Sequence, residues 1–136
     1  MTNKYGIQEI PDVFQCTDYR EKYWGWIKTC TATEDFTLKH IFMNKGSQSS
    51  LEYHVKKDEN YYILSGEIQV GIRIGRAENK AIILTEGEVF HIPPGLMHMR
   101  IALEDTHIIE WSNKDDDSDS HIVEDGKTYE HRIISQ

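Results

Sequence analysis

Glu52, His54, Glu59 and His98 carry side chains that can donate lone pairs to a divalent metal. Turn-forming residues bracket them: Gly46 and Gly66 flank the first three, and Gly87, Pro93 and Gly95 precede His98. Two imidazoles with two carboxylates suit Zn²⁺, Fe²⁺, Mn²⁺ or Ni²⁺, and the carboxylates argue against a purely soft-metal site. Glu52 and His54 are two apart, so in a strand both point to one face. Glu59 follows the turn Lys56-Lys57-Asp58 and is expected to face His54 across an antiparallel pair. His98 comes after the break at Pro93-Pro94-Gly95, from another part of the sheet. Each of the four alone would be an ordinary polar residue on a strand. Their interlocking spacing is what points to one ion.

The elements that would position them read as short strands. Trp24 to Thr31 is rich in β-formers, and Ala32 to Asp35 supplies a turn. Phe36, Leu38, His40 and Phe42 alternate with Thr37, Lys39, Ile41 and Met43 at a period of two. Further strands are expected at Ser50 to Val55, Asn60 to Ser65, Glu67 to Ile74, Ala81 to Leu84 and Val89 to Ile92. Gly66 between two of these suggests a bend or bulge. Met99 to Leu103 and His107 to Trp111 read as a hairpin around Glu104-Asp105. That makes about nine short strands without a long helix, the pattern of a sandwich or barrel. Pro11 to Arg20 is the one place for a helical turn. Residues 113–120 read as a polar loop, with the Asp115 to Asp119 run solvated, and His131 to Ile134 could add a last strand.

A chain of 136 residues is most simply one domain, residues 1–136, with 1–22 as an extension or edge strand and 113–136 as an acidic loop and tail. Acidic residues outnumber basic ones 23 to 15, for a formal net charge of −8. That argues against a binder of nucleic-acid backbone, which needs clustered Lys and Arg. No run reaches the ~20 apolar residues of a membrane span, and the polar N-terminus lacks an apolar signal core. Cys16 and Cys30 allow one disulfide but no secreted-type framework. A cytoplasmic setting is expected.

Gly46 to Gly66 resembles the first motif of the cupin superfamily, G-x5-H-x-H-x4-E-x6-G, with Glu52 where the first His usually stands. Gly87 to His98 resembles the second, G-x5-P-x-G-x2-H, although its usual closing Asn falls on Ala102. A narrower resemblance is to cupin-type mannose-6-phosphate isomerases, the isomerase part of mannose-1-phosphate guanylyltransferases. It runs through Trp24-Gly25, Ser50-Leu51-Glu52-Tyr53-His54, Asp58-Glu59, Leu64-Ser65-Gly66, Ile109-Glu110-Trp111-Ser112 and Asp119 to Asp125. The resemblance implies an all-β, single-domain cupin, a jelly-roll or double-stranded β-helix barrel. It also implies one divalent metal at positions 52, 54, 59 and 98, zinc first, with iron, manganese or nickel as alternatives. The implied activity is aldose–ketose isomerisation of a sugar or sugar phosphate, and a homodimer is implied as well. Several cations of that family are altered: Met99 stands where an Arg usually follows the last His, with Arg100 one step on. Ile122 and Lys57 replace two others.

Such an isomerisation moves a proton between C1 and C2, with a metal stabilising the negative oxygen that develops and a general base carrying the proton. Glu110 and His91 are the candidate bases. Lys57 and Arg100 are candidates to hold an anionic group or the enediolate oxygen. Two competing readings use the same ligands: a non-haem iron dioxygenase, and a non-catalytic module that binds a sugar or metabolite. Tyr53, Tyr61, Tyr62, Trp24, Trp26 and Trp111 are expected to be core or interface, with one or two available to stack on a sugar.

Overall fold

The computed structural model describes residues 6, 10–16, 18–74, 78–131 and 133. Its strands are β1 (Asp18–Lys22), β2 (Gly25–Ala32), β3 (Thr37–Met43), β4 (Leu51–Tyr53), β5 (Glu59–Ser65), β6 (Glu67–Ile74), β7 (Glu78–Thr85), β8 (Val89–Ile92), β9 (Met97–Ala102), β10 (Thr106–Ser112) and β11 (His121–Glu124). They form two antiparallel sheets, ordered β1-β2-β3-β10-β5-β8 and β11-β4-β9-β6-β7. A single 3₁₀ turn, Asp117–Asp119, precedes β11. Among the described residues no helix is long and apolar enough to cross a membrane.

The period-two pattern decides which residues face inward. In β3 the inward set is Thr37, Lys39, Ile41 and Met43, and Ile41 aligns with Ile27 on one side and Ile108 on the other. Ile41, Met43, Tyr61, Ile63, Ile68, Val70, Ile92 and Ile108 make the centre of the core between the sheets. Burying each such side chain stabilises the fold by about 1.5–3 kcal/mol. A smaller cluster, Leu51, Met99 and Ile101, sits on the outer face of the five-stranded sheet, since Met99 and Ile101 alternate with inward His98 and Arg100. The C-terminal tail runs over that face. Gln48 Nε2 donates to the Gly126 carbonyl at 2.9 Å and to that of Tyr129, and the His131 amide donates back to Gln48 Oε1 at 3.1 Å.

Several expectations are corrected. Residues 11–16 form no helical turn, and β1 is an edge strand. The strand expected at His131 to Ile134 is absent at 131 and 133, while 132 and 134 lie outside the described residues. β9 and β10 are no hairpin: β9 pairs with β4 and β6, and β10 with β3 and β5, so the chain crosses between sheets at Glu104-Asp105. Gly66 is the matching corner, carrying the chain from β5 in one sheet to β6 in the other. Its φ is +95°, and a Cβ there would lie 2.4 Å from the Asp105 carbonyl oxygen. Only glycine lets these two crossings touch. Thr106 Oγ1 then accepts from the Glu67 amide at 3.1 Å, locking the two corners together.

Candidate metal centre

Glu52 on β4 lies directly opposite His98 on β9. His54 follows β4, where its carbonyl accepts from the Gly95 amide at 2.6 Å, tying the two motif turns together. Glu59 opens β5, which pairs with β8 and β10 in the other sheet. It therefore meets His54 across the sandwich, not along a shared ladder as its spacing suggested. One ligand atom each from Glu52, His54 and His98 lies within 4.8 Å of the others. Glu59 Oε1 is 2.9 Å from His98 Nε2 and 3.8 Å from His54 Nε2, while Glu52 Oε1 is 3.8 Å from His54 Nε2. Glu59 and His98 are almost fully buried, and Glu52 is half-buried.

The orientation of both imidazoles fits a metal. His54 Nδ1 is 3.1 Å from the Asp119 carbonyl and His98 Nδ1 is 2.9 Å from the Leu96 carbonyl. A carbonyl only accepts, so each Nδ1 carries the proton and each Nε2 turns toward the carboxylates. The close Glu59–His98 contact needs a proton on Nε2, which a metal ion would displace. Burial pushes the Glu59 carboxyl up, but the His98 hydrogen bond and the charges of Lys57, His98 and His54 hold it well below the usual carboxylate range. The donor set, two neutral nitrogens and carboxylate oxygens, fits a first-row divalent ion.

A cavity of about 910 Å³ opens onto this cluster, and Trp24, Glu52, His54, Lys57, Arg100 and Glu110 line it. Lys57 is buried, with Nζ 3.0 Å from Glu59 Oε2, 3.1 Å from Glu110 Oε2 and 3.5 Å from Asp115 Oδ1. Burial lowers the pKa of its ammonium, but Glu110, Glu59 and Asp115 outweigh that and the group stays charged. Lys57 thus neutralises three carboxylates instead of standing free for a substrate anion. Glu110 projects inward from β10. Burial first, and then the Glu59 charge, push its carboxyl above the usual range.

Arg100 is also buried, its guanidinium 5.2 Å from the Trp24 ring centre and 5.3 Å from that of Tyr61. One of its terminal nitrogens donates to Tyr61 Oη at 3.3 Å, and its Nε has no partner. His91 is elsewhere: Ile92 turns inward, so its neighbour points out, exposed and paired with Asp58. It does not line the cavity.

The acidic run is not the solvated loop its composition suggested. Asp119 is buried and its carboxylate accepts from the Val55, Lys56 and Lys57 amides at 2.8, 2.9 and 3.0 Å. Asp115 is half-buried against Lys39 and Lys57. Asp116 caps the 3₁₀ turn, and Asp117 pairs with Arg20 at 3.2 Å. The sequence offered one clue: Lys39 falls on the inward register of β3 beside Ile41, where a cation needs an acidic partner.

The cupin profile matches residues 31–129. The chain belongs to the cupin family. This cupin is 30% identical over 83 residues to the alginate biosynthesis protein AlgA of Pseudomonas aeruginosa, a match covering 61% of the chain and 16% of that protein. It is 29% identical over 84 residues to a putative mannose-1-phosphate guanylyltransferase of Vibrio cholerae, covering 60% and 17%. The cupin thus matches about one sixth of the length of these curated relatives. Among solved structures, KdgF from Halomonas sp. superposes with a TM-score of 0.65 at 22% identity, covering 75% of this chain and 92% of that one. That likeness shows the shared fold.

Proposed function

We propose that this cupin is a metal-dependent aldose–ketose isomerase acting on a sugar or sugar phosphate. The observation that carries the reading is Glu110. It is a buried, non-ligating carboxylate with a raised pKa, and it shares Lys57 with the ligand candidate Glu59 inside the same cavity. A bound divalent ion, zinc first, would polarise the sugar carbonyl and stabilise the charge that develops on its oxygen. Glu52, His54, Glu59 and His98 are the proposed ligands. Glu110 moves the proton between C1 and C2, its raised pKa bringing it closer to neutral operation. Lys57 holds Glu110 and Glu59 in place.

Arg100, stacked on Trp24 and Tyr61 with Nε unpaired, is the cation proposed to hold an anionic end of the substrate. The names of the relatives support a sugar phosphate, although their whole activity is not carried over by so partial a match. Trp26, Phe42, His40 and His107 cluster on the outer face of the six-stranded sheet, with ring centres about 5–6 Å apart. This face is where a homodimer is proposed to form.

The test is interconversion of mannose 6-phosphate and fructose 6-phosphate by protein loaded with zinc, iron or manganese. Turnover that chelation stops and metal restores is expected. Saturable sugar binding with no turnover under any metal would leave a binding module instead. Oxygen consumption with an iron-loaded sample would indicate an oxygenase.

A further inference from the structure

A second cavity lies on the opposite side of the five-stranded sheet from the metal centre, and the proposed function uses none of its residues. Its volume is about 330 Å³. The floor is the outer face of β6, β7 and β9, where Gly71, Ala81 and Met99 line up across the three strands. Gly71 keeps the floor low, since a Cβ there would press on Met99 Sδ at 3.1 Å. The C-terminal tail forms the wall with Tyr129 and His131, whose rings are 4.8 Å apart.

Two polar atoms converge on this largely apolar space. Glu124 uses Oε1 to bind Arg73 at 3.0 Å, while its Oε2 is buried without a hydrogen-bond partner. His131 Nε2 is likewise buried without a partner. Burial lowers the His131 pKa, Glu124 raises it and Arg73 lowers it, and the net is downward, which favours a neutral ring. The Arg73–Glu124 pair cancels its own charge, so the site asks for no ion. A carboxylate oxygen calls for a donor, and a neutral imidazole nitrogen can either accept or donate. A hydroxyl group satisfies both. The space exceeds the ~30 Å³ share of one water molecule about tenfold and lies at the lower end of small-ligand pockets.

We infer that this cavity is a second binding site, for a small neutral molecule with an apolar ring and a hydroxyl group. The hydroxyl lies between Glu124 Oε2 and His131 Nε2, and the ring rests on Met99 and Ala81. The experiment is an amide NMR titration of the full chain with cyclohexanol, and with methoxycyclohexane as the analogue that cannot donate. Saturable shifts at Gly71, Lys80 and Ala81 are expected, with cyclohexanol binding at least tenfold tighter than the ether. The binding survives chelation, which separates its outcome from that of the metal centre. Ala81→Phe fills the space and abolishes the shifts. Glu124→Gln, which leaves the floor intact, brings the two affinities within threefold of each other. Absence of saturable shifts at these amides in the folded wild type, or a preference for cyclohexanol below tenfold, overturns the inference.

Discussion

His54 Nδ1 lies 3.1 Å from the backbone oxygen of Asp119, a residue 65 positions later in the chain. The same Asp119 holds the amides of Val55, Lys56 and Lys57 with its carboxylate. One residue therefore aims a metal-ligand candidate and fixes the turn that delivers Lys57 to Glu59 and Glu110.

Asp119→Ala is expected to lower stability by about 2–4 kcal/mol, because three backbone donors lose their acceptor and each buried orphan costs about 1–3 kcal/mol. Metal affinity should fall about 10–100-fold, the usual effect of losing the support behind a ligand. Asp119→Asn keeps one acceptor oxygen and should lose less of both. Urea unfolding and calorimetric metal titration check this. A variant as stable as wild type would show that the clamp is dispensable.

Metal at 100 times its dissociation constant should stabilise the wild type by about 2.7 kcal/mol, since it binds the folded state alone. His98→Ala should bind less than a full equivalent and show almost no stabilisation by metal. Thermal unfolding with and without chelator reads the difference. An equal metal-induced shift in the variant would remove His98 from the ligand set.

Lys57→Met leaves Glu59, Glu110 and Asp115 facing one another without a cation, and should cost about 3–5 kcal/mol, as breaking buried ion pairs does. Glu110→Gln keeps the shape and should leave metal content unchanged. Its kcat should drop about 10²–10⁴-fold, the contribution of a positioned general base, with little change in KM. Loss confined to KM would place Glu110 in substrate binding and not in proton transfer.

Burial raises the Asp115 carboxyl, but Lys57 and Lys39 outweigh that and hold it below the usual carboxylate range. A depressed folded pKa contributes stability that is fully present above the unfolded value of about 3.9. The contribution is lost as pH falls through the lower folded value. Asp115→Asn should therefore be less stable than wild type at neutral pH, and the gap should narrow below about pH 4. A gap that stays constant down to pH 2 would mean that the ion pairs of Asp115 add nothing.

The fold and the metal donors were legible because both are local patterns. Period-two alternation marked the strands, and Glu52 with His54 falls on one face by spacing alone. Sheet membership was not legible, because sequential strands look alike whether they form a hairpin or cross between sheets. Hence Glu59 met His54 across the sandwich, and β9 and β10 parted company. Asp119 was hidden in an acidic run whose members differ only in what the fold brings to them. His91 was misplaced at the rim although the rule was at hand: with Ile92 inward, alternation sends His91 outward.

The most direct measurement is solvent exchange at C2 of mannose 6-phosphate. Metal-loaded protein is incubated with the sugar in D₂O and the C2 proton is followed by NMR. Proton transfer through an enediol predicts loss of that signal with the loaded wild type, and its retention with the chelated protein and with Glu110→Gln. Full retention with the loaded wild type, in a sample carrying one equivalent of metal, would contradict the isomerase account.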